Sequence, residues 1–233
     1  KTLVALAAAL AATGGALLPS AAQAQVAFNV GAVTDYRYRG ISQTRLKPAL
    51  QGGVDYTAGG LYIGAWASTI KWVKDAGGDS SVEIDLYGGY KGELAKGLGY
   101  DVGILGYVYP DNGFSPSADT AEIYGALTYG PATLKYSHSV TELFGVPRST
   151  NSGYLDLSAT FDVAGLSVVP HIGYTRVAKN SDLNYTDYSL TVSKDFSGLV
   201  VSGAIVGADL DVRGPNNKRL DKTGLVVGVK YNF

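Results

Sequence analysis

Charged residues in this chain recur at every second position. Asp35, Arg37 and Arg39 are spaced by two, as are Glu83 and Asp85, and single charges stand among alternating apolar residues at Asp55, Glu122, Lys135, Asp156, Asp187 and Lys230. In an extended strand residues two apart share a face, so this spacing would line one wall with charge. Rings of charge around a narrow passage decide which ions cross it. The competing arrangement is an internal network of ion pairs that fills the interior and blocks it. Asp35, Arg37 and Arg39 could form a selectivity patch, because arginine offers fixed donors to anionic groups. Clusters of this kind are more often pinned by neighbouring carboxylates.

Other chemistry is thinly supported. A hydrolase needs a nucleophile, a base and an orienting group in hydrogen-bond reach. The only histidines are His138 and His171. Ser137 and Ser139 flank the first, but neighbours on a strand point to the opposite face from it, and no G-x-S-x-G pattern occurs. No catalytic residue is expected. Two separated histidines and no cysteine give no metal-site spacing. Asp75, Asp79, Asp111 and Asp119 in the loops could hold calcium loosely, and ordinary solvated loop acids explain them as well; neither metal nor cofactor is expected. A net charge of −1 argues against a nucleic-acid partner.

The elements that would position the charges are strands. Twelve alternating segments are predicted, near 26–39, 48–58, 61–71, 81–92, 98–110, 119–130, 131–142, 152–163, 165–177, 185–196, 198–209 and 222–233, with turn residues between them. In the fourth, Val82, Ile84, Leu86 and Tyr90 oppose Glu83, Asp85, Tyr87 and Lys91. In the first, the parity that turns Phe28, Val30, Tyr36 and Tyr38 toward lipid points Asn29, Asp35, Arg37 and Arg39 inward. None shows a helical period.

Alternation alone also fits a soluble sandwich. Connection lengths discriminate better. Long ones (GISQTRLKP, WVKDAGGDS, DNGFSPSAD, LFGVPRSTN, AKNSDLN, DVRGPNNKRLD) alternate with short ones near Gly59, Lys96, Gly130, Gly165 and Ser197. An up-and-down membrane barrel has that rhythm, with short turns on one side and longer loops on the other. The expected fold is all-β, a closed antiparallel transmembrane barrel of about 12 strands, or 10 in the alternative. Such a barrel lies between the eight strands whose interior side chains just fill and the sixteen that leave a water channel.

Residues 1–24 read as a signal peptide rather than part of the fold. Lys1 opens an apolar run from Leu3 to Leu18, interrupted by Gly14 and Gly15, and Ala22-Gln23-Ala24 supplies an A-x-A cleavage pattern. The barrel is therefore expected over 25–233. The final segment carries apolar residues at every second position up to Tyr231 and Phe233. Without cysteine, closed hydrogen bonding must supply rigidity in an exported protein. Tyrosine outnumbers phenylalanine 17 to 6, a bias suited to membrane-interface girdles.

Three features fit this pattern poorly. Pro170 lies inside a good strand and predicts a bulge. His138 falls on the lipid-facing parity. Leu199 to Val206 is apolar on both faces, so its orientation stays open.

At FNVGAVTDYRYRGISQT, residues 28–44, the chain resembles the proteobacterial TorF-type porin family. PALQGGVDY, GLYIGAWAS, SVEIDLYGGYKGE, GYDVGILGYVYP, EIYGALTYGPATLKYSHS, YLDLSATF and the final GVKYNF are similar to that family as well, so the likeness covers nearly all of 25–233. DYRYRGISQT is the specific block, since barrel alternation does not require its charges, aromatics and glycine. The resemblance implies an outer-membrane barrel in contact with lipid and small solutes or ions, whose aromatic-ended last strand is read by the barrel-assembly machinery. It supplies no binding residues. The expected role is passive diffusion of small hydrophilic solutes or ions through a lumen lined by Asp35, Arg37, Arg39, Asp55, Glu83, Asp85, Glu122, Lys135, Asp156, His171 and Lys230. The alternatives are a non-conducting structural or adhesive barrel and, last, an outer-membrane hydrolase.

Overall fold

The computed structural model describes residues 24–233. The expected leader lies outside the described residues, apart from Ala24. The strands are β1 (Gln25–Val33), β2 (Arg37–Tyr38), β3 (Ile41–Ser42), β4 (Ala49–Ala58), β5 (Leu61–Thr69), β6 (Val82–Ala95), β7 (Leu98–Val108), β8 (Thr120–Tyr129), β9 (Ala132–Ser139), β10 (Gly153–Ala159), β11 (Phe161–Val163), β12 (Leu166–Arg176), β13 (Tyr185–Phe196), β14 (Leu199–Ala208) and β15 (Gly224–Asn232). A single helical turn, α1 (Trp72–Asp75), sits in the second long loop. Sequence periodicity did not show it, because four residues are too few to display a period.

Every pairing is antiparallel. β1 pairs with β15, and β10 pairs with β12, so the sheet has no free edge. β10 and β11 run in one register along β12, with Ser158 opposite His171 and Phe161 opposite Val168, and form one stave. The result is a closed 12-strand barrel, as expected. Twelve strands 4.7–4.9 Å apart and tilted 35–45° enclose a cylinder roughly 24 Å across between backbones.

The outer wall is apolar. Phe28, Val30, Leu50, Ile63, Leu86, Ile104, Leu157 and Val227 all project outward and lie exposed. Most of their inward neighbours are small, polar or charged, with Leu105 and Val226 as apolar exceptions, which is the pattern of a sheet dry outside and wet inside. The ambiguous segment 199–206 resolves the same way. Leu199, Val201 and Ile205 are the exposed residues of β14, with Val200, Ser202, Ala204 and Val206 on the inner face.

Short turns gather at one rim. Ala164-Gly165 and Ser197-Gly198 each carry positive φ at both positions, 54° and 76° in one and 59° and 103° in the other. Two-residue connections of this hand match the strand twist. Phe28 and Phe233 meet at the same rim, ring centroids 5.8 Å apart, with reciprocal backbone bonds of 2.8 and 3.0 Å.

Pro170 makes no bulge. It stands opposite Leu190 in unbroken register, and the absent amide shows only as the break between β10 and β11. The irregularity instead falls in β6, between Glu93 and Ala95 beside a short turn. His138 keeps the outward parity at the long-loop rim, where its Nε2 lies 3.2 Å from Asn151 Oδ1. The tyrosines divide between the two faces. Several point inward and lie across glycines of the next strand: a side chain at Gly64 would strike the Tyr87 ring at 2.5 Å, and one at Gly103 the Tyr124 hydroxyl at 2.5 Å. The interface reading of tyrosine therefore accounts for only part of its abundance.

The expected first strand, 26–39, ends at Val33. Residues 34–48 leave the wall and fold into the barrel mouth. The packed apolar cluster of the protein lies there, built from Ile70, Val73, Tyr107, Tyr109 and Ala118, with Tyr36, Tyr38, Trp72, Phe114 and Phe144 against it.

Candidate functional site

The site is the inward fold of the first long loop, L1 (residues 34–48), and the wall it touches. Arg37 pairs with Ser42 and Tyr38 with Ile41. The two residues between have φ of 43° at Arg39 and 81° at Gly40. That is a two-residue hairpin whose second position suits glycine. Gly40 is also a close approach: a Cβ there would lie 2.6 Å from the Gly207 carbonyl and 2.9 Å from Asp187 Cβ. The tip of L1 therefore rests on β13 and β14.

From this seat L1 reaches the other walls. Tyr36 donates to Glu83 Oε1 at 2.5 Å, and Tyr109 donates to Glu83 Oε2 at 2.7 Å. Tyr38 donates to the Tyr107 hydroxyl at 2.8 Å, and Tyr107 donates to Glu122 at 3.3 Å. Arg39 Nη2 lies 2.8 Å from both oxygens of Glu122, with 5% and 3% of the two side chains exposed. The Arg39 guanidinium also stacks over Tyr154 at 4.1 Å. Tyr36 and Tyr38, expected to face lipid, thus lie inside, because the chain turns out of β1 before reaching them.

Asp35 and Arg37 hold the base of L1. Asp35 accepts from Arg37 Nε at 2.5 Å, Ser42 Oγ at 2.5 Å and Thr44 Oγ1 at 3.1 Å. Arg37 Nη1 donates to the carbonyls of Gly40 and Leu220 at 3.0 Å and of Lys222 at 3.2 Å. Both residues are pinned between L1 and the last long loop (209–223) rather than standing on the open wall. In that last loop Arg219 donates to Asp221, and Asp221 accepts the Val212 amide at 2.9 Å. Burial pushes the Asp221 carboxyl up, but these hydrogen bonds and the Arg219 charge outweigh it and hold the group below its ordinary value.

The remaining expected residues face the interior. Asp156 lies 2.7 Å from His171 Nε2, and Asp187 lies 3.7 Å from its Nδ1. Tyr154 donates to Asp187 at 3.2 Å. Asp55 accepts from Tyr87 at 2.5 Å, and Lys135 stands over the Tyr124 ring at 4.0 Å. Lys230 lies opposite Gly31 and Val200, on the side of Asp55. Asp85 is inward and buried, and its Oδ1 has no hydrogen-bond partner. Tyr231 and Phe233 stack at the short-turn rim, centroids 5.9 Å apart.

Sequence reasoning missed Tyr36, Tyr38 and Gly40 in L1, and Tyr62, Asp101 and Tyr154 on the wall. Tyr62 donates to Asp101 at 2.5 Å and shares a contact with the Tyr124 hydroxyl. The Arg39-Gly40 pair between Tyr38 and Ile41 was the available signal for the hairpin. As to enzyme chemistry, Ser137 and Ser139 face inward while His138 faces outward, so they form no dyad. Asp75 is paired with Arg45, and Asp119 caps the Tyr109 amide at 2.8 Å. No three metal-ligating groups converge among the described residues.

The family described as "Bacterial protein of unknown function (Gcw_chp)" matches residues 19–233. The chain belongs to the Gcw_chp family. No curated protein matches it in sequence. Among solved structures this Gcw_chp barrel is similar to the KdgM porin, with a TM-score of 0.60 and 8% identity over 89% of this chain and 99% of that one. A structure described as KdgM porin in complex with disordered oligogalacturonate gives 0.58 and 7% identity, over 91% and 99%. The NanC porin gives 0.55 and 11% identity, over 90% and 99%. At such identities the likeness is one of fold alone: a closed antiparallel β-barrel.

Proposed function

We propose that this Gcw_chp protein is a porin-like channel of the bacterial outer membrane, passing small hydrophilic solutes or ions down their gradients. The observation that carries the reading is the division of the barrel wall. Its outer face is an apolar belt, and its inner face holds charges, including Asp55, Lys91 and Lys230 toward the short-turn end and Lys135 nearer L1. A closed sheet with a dry outside is how β-structure satisfies its backbone in lipid. Charges inside such a sheet are useful where water and solutes meet them.

Residues 1–24 act in this scheme as a cleaved export signal, and 25–233 as the mature barrel. The strand ending in Tyr231 and Phe233 is offered to the barrel-assembly machinery. Similarity to the TorF-type porins supports the same placement. Arg39, Glu83, Asp85, Glu122, Asp156 and His171 line the narrow part, and the protein catalyses no reaction. The KdgM and NanC likeness supports a solute path without naming the solute.

The second reading is a non-conducting structural barrel. It is favoured by L1, which folds into the long-loop end of the lumen and packs there against residues of other long loops. Single-channel recording of refolded protein in a planar bilayer separates the two. Discrete conductance steps support the channel; a silent bilayer over a wide voltage range, with correctly folded protein inserted, establishes the structural barrel instead.

A further inference from the structure

Three acids and one base lie on the elements that L1 brings together at the wall. Glu83 and Asp85 project from β6 and Glu122 from β8, while Arg39 comes from L1. Arg39 is matched to Glu122 and covered by the rings of Tyr38 and Tyr154, at 4.8 and 4.1 Å. Its Nε has no hydrogen-bond partner, but its charge is answered by Glu122 and its faces are shielded, so it is poorly placed to attract anions. Glu83 accepts hydrogen bonds from two tyrosines, which solvate it without neutralising it.

Asp85 differs from both. It is 8% exposed, its Oδ1 has no partner, and the charges that act on it are those of Glu83 and Glu122. Its cross-strand neighbours are Trp66 and Tyr107. Beyond the hairpin tip, Asp187 is 2% exposed and its Oδ2 is likewise unpartnered. A carboxylate withdrawn from water among like charges requires a proton or a counter-ion.

We propose that the constriction at L1 prefers monovalent cations, and that Asp85 is the transient cation site. The proposal rests on the channel reading and assigns the sign of its selectivity. Oxygen ligands suit hard cations. Since no three ligating groups converge among the described residues, the site lacks the cage that would hold a divalent ion. Weak coordination is what conduction requires, because an ion must leave as readily as it enters.

Reversal potentials across a tenfold KCl gradient test this, using the wild type and Asp85→Asn. The wild type is expected to reverse toward the potassium equilibrium potential. Asp85→Asn is expected to lower the cation-to-anion permeability ratio at least threefold. An anion-preferring wild type, or an unchanged ratio in the variant, overturns the proposal. A silent protein defeats the channel reading, and the site is then read without conduction in thallium-soaked crystals. An anomalous peak beside Asp85 that vanishes in Asp85→Asn supports the site; a wild type with no peak there refutes it. Heat-shifted gel mobility reports whether the variant has closed its barrel. Should it fail to fold, Glu83→Gln lowers the charge of the same wall and serves in both measurements.

Discussion

Arg39 Nη2 reaches both carboxylate oxygens of Glu122 across the lumen, each at 2.8 Å, although the two residues lie 83 apart. One comes from a loop and the other from the wall, so the pair fastens the inward-folded L1 to the barrel. Replacing Arg39 with alanine leaves Glu122 buried without its partner. Loss of one member of a buried pair costs roughly 3–5 kcal/mol. Urea unfolding in lipid vesicles should show that loss, whereas Arg39→Met with Glu122→Met should recover much of it. Equal destabilisation by the single and double replacements would count against the pair as the main fastening.

Gly40→Ala should unseat the hairpin. The added carbon meets the Gly207 carbonyl, and φ of 81° suits glycine far better than alanine. The expected cost exceeds about 1 kcal/mol. Its readout is trypsin cleavage after Arg37, Arg39 or Arg45 in folded protein, which the wild type should resist. If conduction is limited by L1, the same variant should show larger unit steps.

Acid should loosen the last long loop. Asp221 is held below its ordinary value, so its contribution to stability is present above the unfolded value near 3.8. That contribution disappears as pH falls through the lower folded value. Thermal melts of wild type and Asp221→Asn should therefore converge at strongly acidic pH and separate above about pH 4. A constant gap across that range would mean the carboxylate charge is not the source of the effect.

Leu157 projects outward in mid-strand and is 47% exposed. Arginine there should weaken folding into bilayers by roughly 2–4 kcal/mol, as at a lipid midplane. Arginine at inward-facing Thr191 should cost far less. Equal tolerance at both sites would argue that the outer wall does not face lipid.

The barrel was legible in the sequence because its two faces meet different solvents. Residues such as Val82, Leu86 and Tyr90 on one side, and Glu83 and Asp85 on the other, state their direction by type. The path of L1 was hidden for the opposite reason. Asp35-Tyr36-Arg37-Tyr38-Arg39 continues the alternation of β1 without a break, so a strand and a tight hairpin look alike there. Parity misplaced Tyr36 and Tyr38, and it could not show that Asp35 and Arg37 serve a loop seam. The Asp156–His171 contact was hidden too, since neither residue gives a cue to cross-strand register. Pro170 misled in another way: a missing amide need not shift register when both neighbouring strands hold it.

The meeting of Phe28 with Phe233 bears on how the molecule comes into being. The pairing that completes the cylinder joins the segments most distant along the polypeptide, and long-range pairings of this kind form slowly. Until they meet, any partly assembled form has two raw edges able to recruit other chains. Biogenesis is therefore at greatest risk just before completion. A chaperone or insertase that shields both edges would act on yield rather than on final stability.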